Sequence, residues 1–130
     1  MDLENQYLNM DYIEAISEGI SVSKYITHLN LRNTNLNTAG AMLIVKSMMV
    51  KKIKHLDMGY NPALSEEFYQ TIADVIYDET CSLEFVSFES NLMGNKNVAI
   101  LSESIMHNVR LRVLNLSKNE ITDKSSSRIC

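Results

Sequence analysis

The sequence predicts an α/β solenoid, a short right-handed horseshoe arc with about four parallel strands on its concave side and helices on its convex side. Three observations predict it. A short apolar pattern recurs four times, starting at positions 26, 53, 83 and 111, so the copies are spaced by 27, 30 and 28. A second apolar pattern of helical spacing recurs between the copies of the first: Ile16, Ile44, Ile72 and Leu101 follow one another at steps of 28, 28 and 29. The chain has 130 residues, 45% of them hydrophobic, enough to bury a core without disulfides or metal. Self-similarity at such a period marks units that cannot bury their apolar faces alone and must stack.

The elements follow in order. Leu8, Ile16 and Ile20 precede Leu36, Ile44 and Met48 by one repeat length, so residues 8–25 read as the helical half of a leading repeat and as an N-terminal capping helix. Residues 1–7 are expected to be loose or to drape over the sheet edge. The first strand segment runs from Ile26 through Leu29 and Leu31 to Leu36, and the second from Ile53 through Leu56 and Met58 to Leu64. The third runs from Leu83 through Val86 and Phe88 to Met93, and the fourth from Leu111 through Leu114 and Leu116 to Ile121. An apolar-x-apolar step puts both apolar residues on one strand face. Between the strands, Ile20, Met48, Ile76 and Ile105 each follow the first helix anchor by four, on the same helix face. Ile13, Ala41, Phe68 and Val98 extend each stripe by about one turn, and Met48 and Met58 are expected in the core.

The strand segments, L-x-x-L-x-L-x-x-N-x-L, resemble the leucine-rich repeat over about residues 8–130, and their long spacing is similar to the ribonuclease-inhibitor-like subclass. The resemblance implies a full helix after each strand. It also implies that Asn61, Asn91 and Asn119 stack as a ladder that hydrogen-bonds the turning backbone; Thr34 stands at that place in the first repeat. The expected organisation is a single domain over residues 1–130. Ile129 stands one repeat length after Leu101, so the fourth repeat is expected to be truncated, with a polar tail over 122–127. Three expectations stay open for that end: an irregular cap, self-association through an uncapped C-terminal edge, or docking into a larger assembly.

The charge balance, 12 Lys and Arg against 16 Asp and Glu, argues against a nucleic-acid binder. Lys46, Lys51, Lys52 and Lys54 form too small a group to change that; a solvated convex face is expected for them, with weak pairing to Glu66, Glu67, Asp74, Asp78 and Glu79 as the alternative. The N-terminus lacks the basic start and apolar stretch of a signal peptide, and the longest apolar run is Ala41 to Val45, so no membrane insertion is expected. Cys81 and Cys130 form no disulfide pattern, and Asn115-Leu116-Ser117 reads as a chance glycosylation match. A cytoplasmic protein is expected.

Outward strand positions supply the candidate site. His28, His55, Phe85 and Val113 form one lateral row, and Asn30, Asp57, Ser87 and Asn115 the next. Arg32, Asp57, Tyr60 and Phe85 are the chosen partner contacts, because Arg and aromatic residues dominate interface hot spots; His28, His55, Glu89 and Asn115 complete the set. The mixture suits a protein partner, and the expected function is an adaptor or scaffold working through the concave face. The alternative is a structural subunit held through its C-terminal edge. His28, His55 and Asp57 fall short of a zinc ligand set, so neither metal nor cofactor is expected. The two imidazoles are candidates for a pH response. No nucleophile elbow or phosphate-binding glycine loop is present, so no enzyme activity is expected.

Overall fold

The computed structural model describes residues 1–48 and 52–120. Helices and strands alternate: α1 (Met10–Val22), β1 (His28–Asn30), α2 (Thr38–Met48), β2 (His55–Asp57), α3 (Glu66–Tyr77), β3 (Phe85–Ser87), α4 (Asn95–His107) and β4 (Val113–Asn115). The strands form one parallel sheet in sequence order. A helix returns the chain between successive strands, as parallel pairing requires.

Register follows the repeat. His28 faces His55, His55 faces Phe85, and Phe85 faces Val113. The inward Leu29, Leu56 and Val86 are fully buried. Ile20, Ile44, Met48, Ile72, Ile76 and Leu101 reach the same core from the helices, and Met58 reaches it from the end of β2. Ile16 and Ile105 pack at its margin. Phe68, Tyr69 and Phe88 meet edge to face at centroid distances of 5.3, 5.5 and 6.1 Å, filling the middle of the arc.

Burial pushes the Tyr69 phenol up to about 12, against a smaller opposing pull from Asn91. Its hydroxyl makes no hydrogen bond of good geometry among the described residues. Tyr69→Phe is therefore expected to leave stability unchanged or raise it by up to about 1 kcal/mol. Thermal unfolding checks this, and a loss beyond about 1 kcal/mol would reveal a hydrogen bond at that hydroxyl.

The turns are held by the asparagine ladder. Asn61 Oδ1 accepts from the Thr34 and Leu36 amides at 3.2 and 3.0 Å, and its Nδ2 donates to the carbonyls of Leu31, Met58 and Gly59. Asn91 Oδ1 accepts from the Asn61 amide at 2.7 Å. Asn119 Oδ1 accepts from the Asn91 and Met93 amides. Thr34 substitutes by donating its hydroxyl to Leu31 O at 2.8 Å.

The N-terminal segment does more than drape. Asn30 N–H donates to Met1 O, Leu3 N–H to Asn30 O, and Asn5 N–H to Arg32 O, each at 2.9 Å. Between β1 and β2 the same pattern places Leu31 N–H on Asp57 O and Asn33 N–H on Gly59 O. Residues 1–5 thus continue the sheet beyond β1. The repeat carries a signal for it: Met1, Leu3 and Leu8 stand one repeat length before Leu29, Leu31 and Leu36.

On the convex side, Lys96 and Glu66 pair at 2.9 Å, joining α4 to α3, and the pair is well exposed. Lys51, Ile129 with the truncated end of the fourth repeat, the 122–127 tail and the contacts expected of them lie outside the described residues. Among the described residues, no helix is long and apolar enough to cross a membrane.

Candidate functional site

The residue that leaves each strand takes a left-handed backbone: Asn5, Asn33, Tyr60, Ser90 and Lys118 have φ between 54° and 66°. That conformation suits Asn and costs a bulkier side chain. The fold thus accepts strain at Tyr60 and Lys118 while presenting both at the strand ends.

Arg32 joins the centre of this surface. Its Nη2 donates to Glu89 Oε1 at 2.6 Å and its Nη1 lies 3.5 Å from Asp57 Oδ2, so one guanidinium reaches from the β1 repeat across to the β3 repeat. It also lies over the Tyr60 ring, 4.5 Å from the centroid. Lys118 Nζ approaches from the β4 side, 3.2 Å from Tyr60 Oη and 3.6 Å from Glu89 Oε2. Gly59 makes the crossing possible. A Cβ there would stand 3.0 Å from Arg32 Nη1, 3.2 Å from Asp57 Oδ1 and 3.2 Å from Glu89 O.

The electrostatics follow. Burial alone would lower the Arg32 pKa, but the Glu89 bond and the Asp57 and Glu89 charges raise it overall. The bond from Arg32 holds the Glu89 carboxyl below the usual carboxylate range, against a smaller desolvation effect. The contact with Tyr60 Oη raises Lys118. The four charges cancel, leaving a polar wall across the strands.

A second row lies beside it. The His28 and His55 rings stack at 5.2 Å, and His55 and Phe85 at 4.1 Å, both nearly parallel. Val113 ends the row, 48% exposed. Burial lowers the His55 pKa, the His28 imidazole lowers it further, and Asp57 opposes both. Because the depressed base favours its neutral form in the fold, the unfolded chain takes up this proton first on acidification. Stability is therefore expected to fall as pH drops from about 7.5 through the ordinary histidine value of 6.5, and this contribution levels off once the folded His55 is protonated. Chemical denaturation across that range checks it, and His55→Gln should flatten the slope.

The structure thus brings together Arg32, Asp57, Tyr60 and Glu89 in the wall, and His28, His55 and Phe85 in the stack. Asn115 sits apart, its Oδ1 accepting from the Ser117 amide and hydroxyl. Ser87, expected to face outward, is fully buried, because its small side chain lies beneath its larger neighbours. Cys81 is buried, with its thiol pushed up chiefly by desolvation. Lys118 and Gly59 belong to the cluster although neither is among the chosen contacts. Their signal is the repeat itself, which places Lys118 in the row of Tyr60 and Gly59 in the row of Arg32 and Glu89.

This ladder, register and repeat length define leucine-rich repeats, and residues 22–45 and 107–130 match the leucine-rich repeat family model. The fold is leucine-rich-repeat-like, and the two matched segments lie at either side of the sheet. Across 99% of its length it is 28% identical to FERM domain-containing protein C of Dictyostelium discoideum, and across all of it 23% identical to NACHT, LRR and PYD domains-containing protein 9B of Mus musculus. It spans only 9% and 13% of the lengths of these relatives. Among solved structures, actin-binding site 2 of leiomodin-1 superposes with a TM-score of 0.83 at 14% identity, over 99% of this chain and 75% of that one.

Proposed function

We propose that this chain is a non-enzymatic recognition module that binds a protein partner through its concave strand face, as an adaptor or scaffold. The carrying observation is the pre-assembled wall of Arg32, Asp57, Tyr60 and Glu89 beside the His28–His55–Phe85 stack. Side chains already held in place lose little further entropy on binding. Arg and Tyr at the centre of a polar surface are the types that anchor interfaces. A helix of 11 to 13 residues before each strand supports assignment to the ribonuclease-inhibitor-like subclass. Cys81, buried and without a disulfide among the described residues, fits a cytoplasmic setting.

The leiomodin likeness carries the fold and makes actin a sensible first probe. The test is co-sedimentation with actin filaments, together with capture from a cell extract read by mass spectrometry. Wild type is compared with an Arg32→Ala/Tyr60→Ala/Phe85→Ala variant and with a convex control, Lys96→Ala/Glu66→Ala, each checked for folding. A partner lost only from the concave variant is the expected result. A partner held equally by all three moves recognition off the concave face.

A further inference from the structure

We propose a second binding site at the N-terminal end of the sheet, separate from the concave face. There the outer edge of residues 1–5, with the groove between that segment and α1, takes up an extended partner segment of alternating apolar and basic residues as one more strand.

The backbone of this edge is open. Met1 O and Leu3 N–H bond Asn30, and Asn5 N–H bonds Arg32 O. In a trans peptide N–H and C=O point opposite ways, so Asp2 N–H, Asp2 C=O and Glu4 C=O face away from β1. None of these three groups makes a hydrogen bond among the described residues. The Glu4 N–H is already closed by Asp2 Oδ1 at 3.1 Å. An edge with free donors and acceptors is a template for an added strand.

The apolar side chains behind the edge are uncovered as well. Leu3 and Ile16 are half-buried, whereas Leu31 and Ile44, one repeat length later, are fully buried. With Tyr12, Ala15 and Gly19 they line a groove of about 810 Å³. A Cβ at Gly19 would meet nothing within 4 Å, so the groove has room for ligand side chains.

The chemistry of the occupant follows from the pleat. Alternate residues of an added strand face the groove, and the others face the side of Asp2 and Glu4. The first set is therefore apolar, and charge decides the second. Asp2 and Glu4 are exposed, and neither forms an ion pair among the described residues. Residues 1–23 carry five carboxylates and no Lys or Arg. Asp11 and Glu18 stand one helical turn to either side of Ala15 and extend the acidic rim along the groove. Neighbouring cations are engaged elsewhere: the Met1 amine donates to His28 O at 2.8 Å, and Arg32 turns to Asp57 and Glu89. Lys24 stands beyond the end of α1. Basic residues complement such a rim and acidic ones are repelled.

The test uses the intact chain and three acetylated peptides of about nine residues. One alternates lysine and valine. The second has the same composition with its lysines and valines in two blocks. The third alternates glutamate and valine. Affinity is read by fluorescence anisotropy and position by amide NMR. The alternating lysine peptide should bind about 5–10-fold tighter than either control, with a smaller margin at about 0.5 M salt. Its binding should slow exchange of the Asp2 amide by about 10-fold or more. Gly19→Leu fills the groove without meeting a neighbour, so it should weaken binding about 10-fold while leaving the melting temperature unchanged or higher. Asp2→Asn/Glu4→Gln should remove the advantage over the glutamate peptide. The Arg32→Ala/Tyr60→Ala/Phe85→Ala variant should bind as wild type does. Equal affinities for the three peptides, no binding by any, unchanged Asp2 exchange or full binding by Gly19→Leu overturns the inference. Binding lost in the concave variant also overturns it, by moving the peptide to the concave face. So does a wild-type dimer in sedimentation that Gly19→Leu dissolves, because the edge then belongs to a second copy.

Discussion

Replacing Asn61 with alanine is expected to destabilise the protein by about 3–5 kcal/mol, lowering the thermal midpoint by roughly 10–20 °C. Asn61 is fully buried and is the most connected side chain of the ladder. Its Oδ1 serves two amides of the first repeat and its Nδ2 serves three carbonyls, one in the first repeat and two in its own. Alanine would leave several of these backbone groups buried and unpaired, and an unpaired buried group costs far more than the net worth of a bond. Thr34→Val is the control. It removes one hydroxyl whose acceptor, Leu31 O, is still served by Asn61, so about 1 kcal/mol is expected. Comparable losses in the two variants, measured by thermal and urea unfolding, would deny the ladder its central place.

The second large effect is on binding. Arg32→Ala is expected to weaken partner affinity by about 10–100-fold, the range of an interface hot spot, with a much smaller change in unfolding midpoint. The variant strips the Tyr60 ring of the cation lying 4.5 Å from its centroid and leaves Asp57 and Glu89 without the guanidinium that joins them. Arg32→Lys keeps the charge but loses the planar fork that bridges two carboxylates, so an intermediate affinity is expected. Unchanged affinity in a folded Arg32→Ala protein would take Arg32 out of the interface. A stability loss as large as that of Asn61→Ala would instead make the wall a structural brace.

The histidine stack links these two properties to acidity. Protonation of His55 places a charge in a row of stacked rings that offers apolar contact when that ring is neutral. Acidification therefore works against both the fold and an apolar ligand on that row.

Much of the fold is legible because a repeat states its constraint several times over. The strand step Leu29-x-Leu31 recurs as Leu56-x-Met58, Val86-x-Phe88 and Leu114-x-Leu116, and a helix stripe recurs between the copies. Period 2 fixes which strand face is buried, and period 3.6 fixes the helix face. The parallel register, the inward side chains and the ladder asparagines follow from those periods and from the family resemblance. The leading strand at Met1–Asn5 obeys the same arithmetic, but its Met1-x-Leu3 step lacks the rest of the motif, so the motif alone does not reveal it.

Periodicity belongs to the sequence: it says which residues turn inward, which turn outward, and which strand neighbours which. How the outward residues combine belongs to the folded chain. That Arg32 passes over Gly59 to reach Glu89, 57 positions along the chain, depends on side-chain rotamers and on a missing Cβ. That Ser87 is buried while its row-mates are not depends on the size of its neighbours. The range of the forces explains the division. Hydrophobic burial averages over a whole face and therefore appears as a pattern, whereas ion pairs and ring stacks act over a few ångströms and exist only once the strands have been laid side by side.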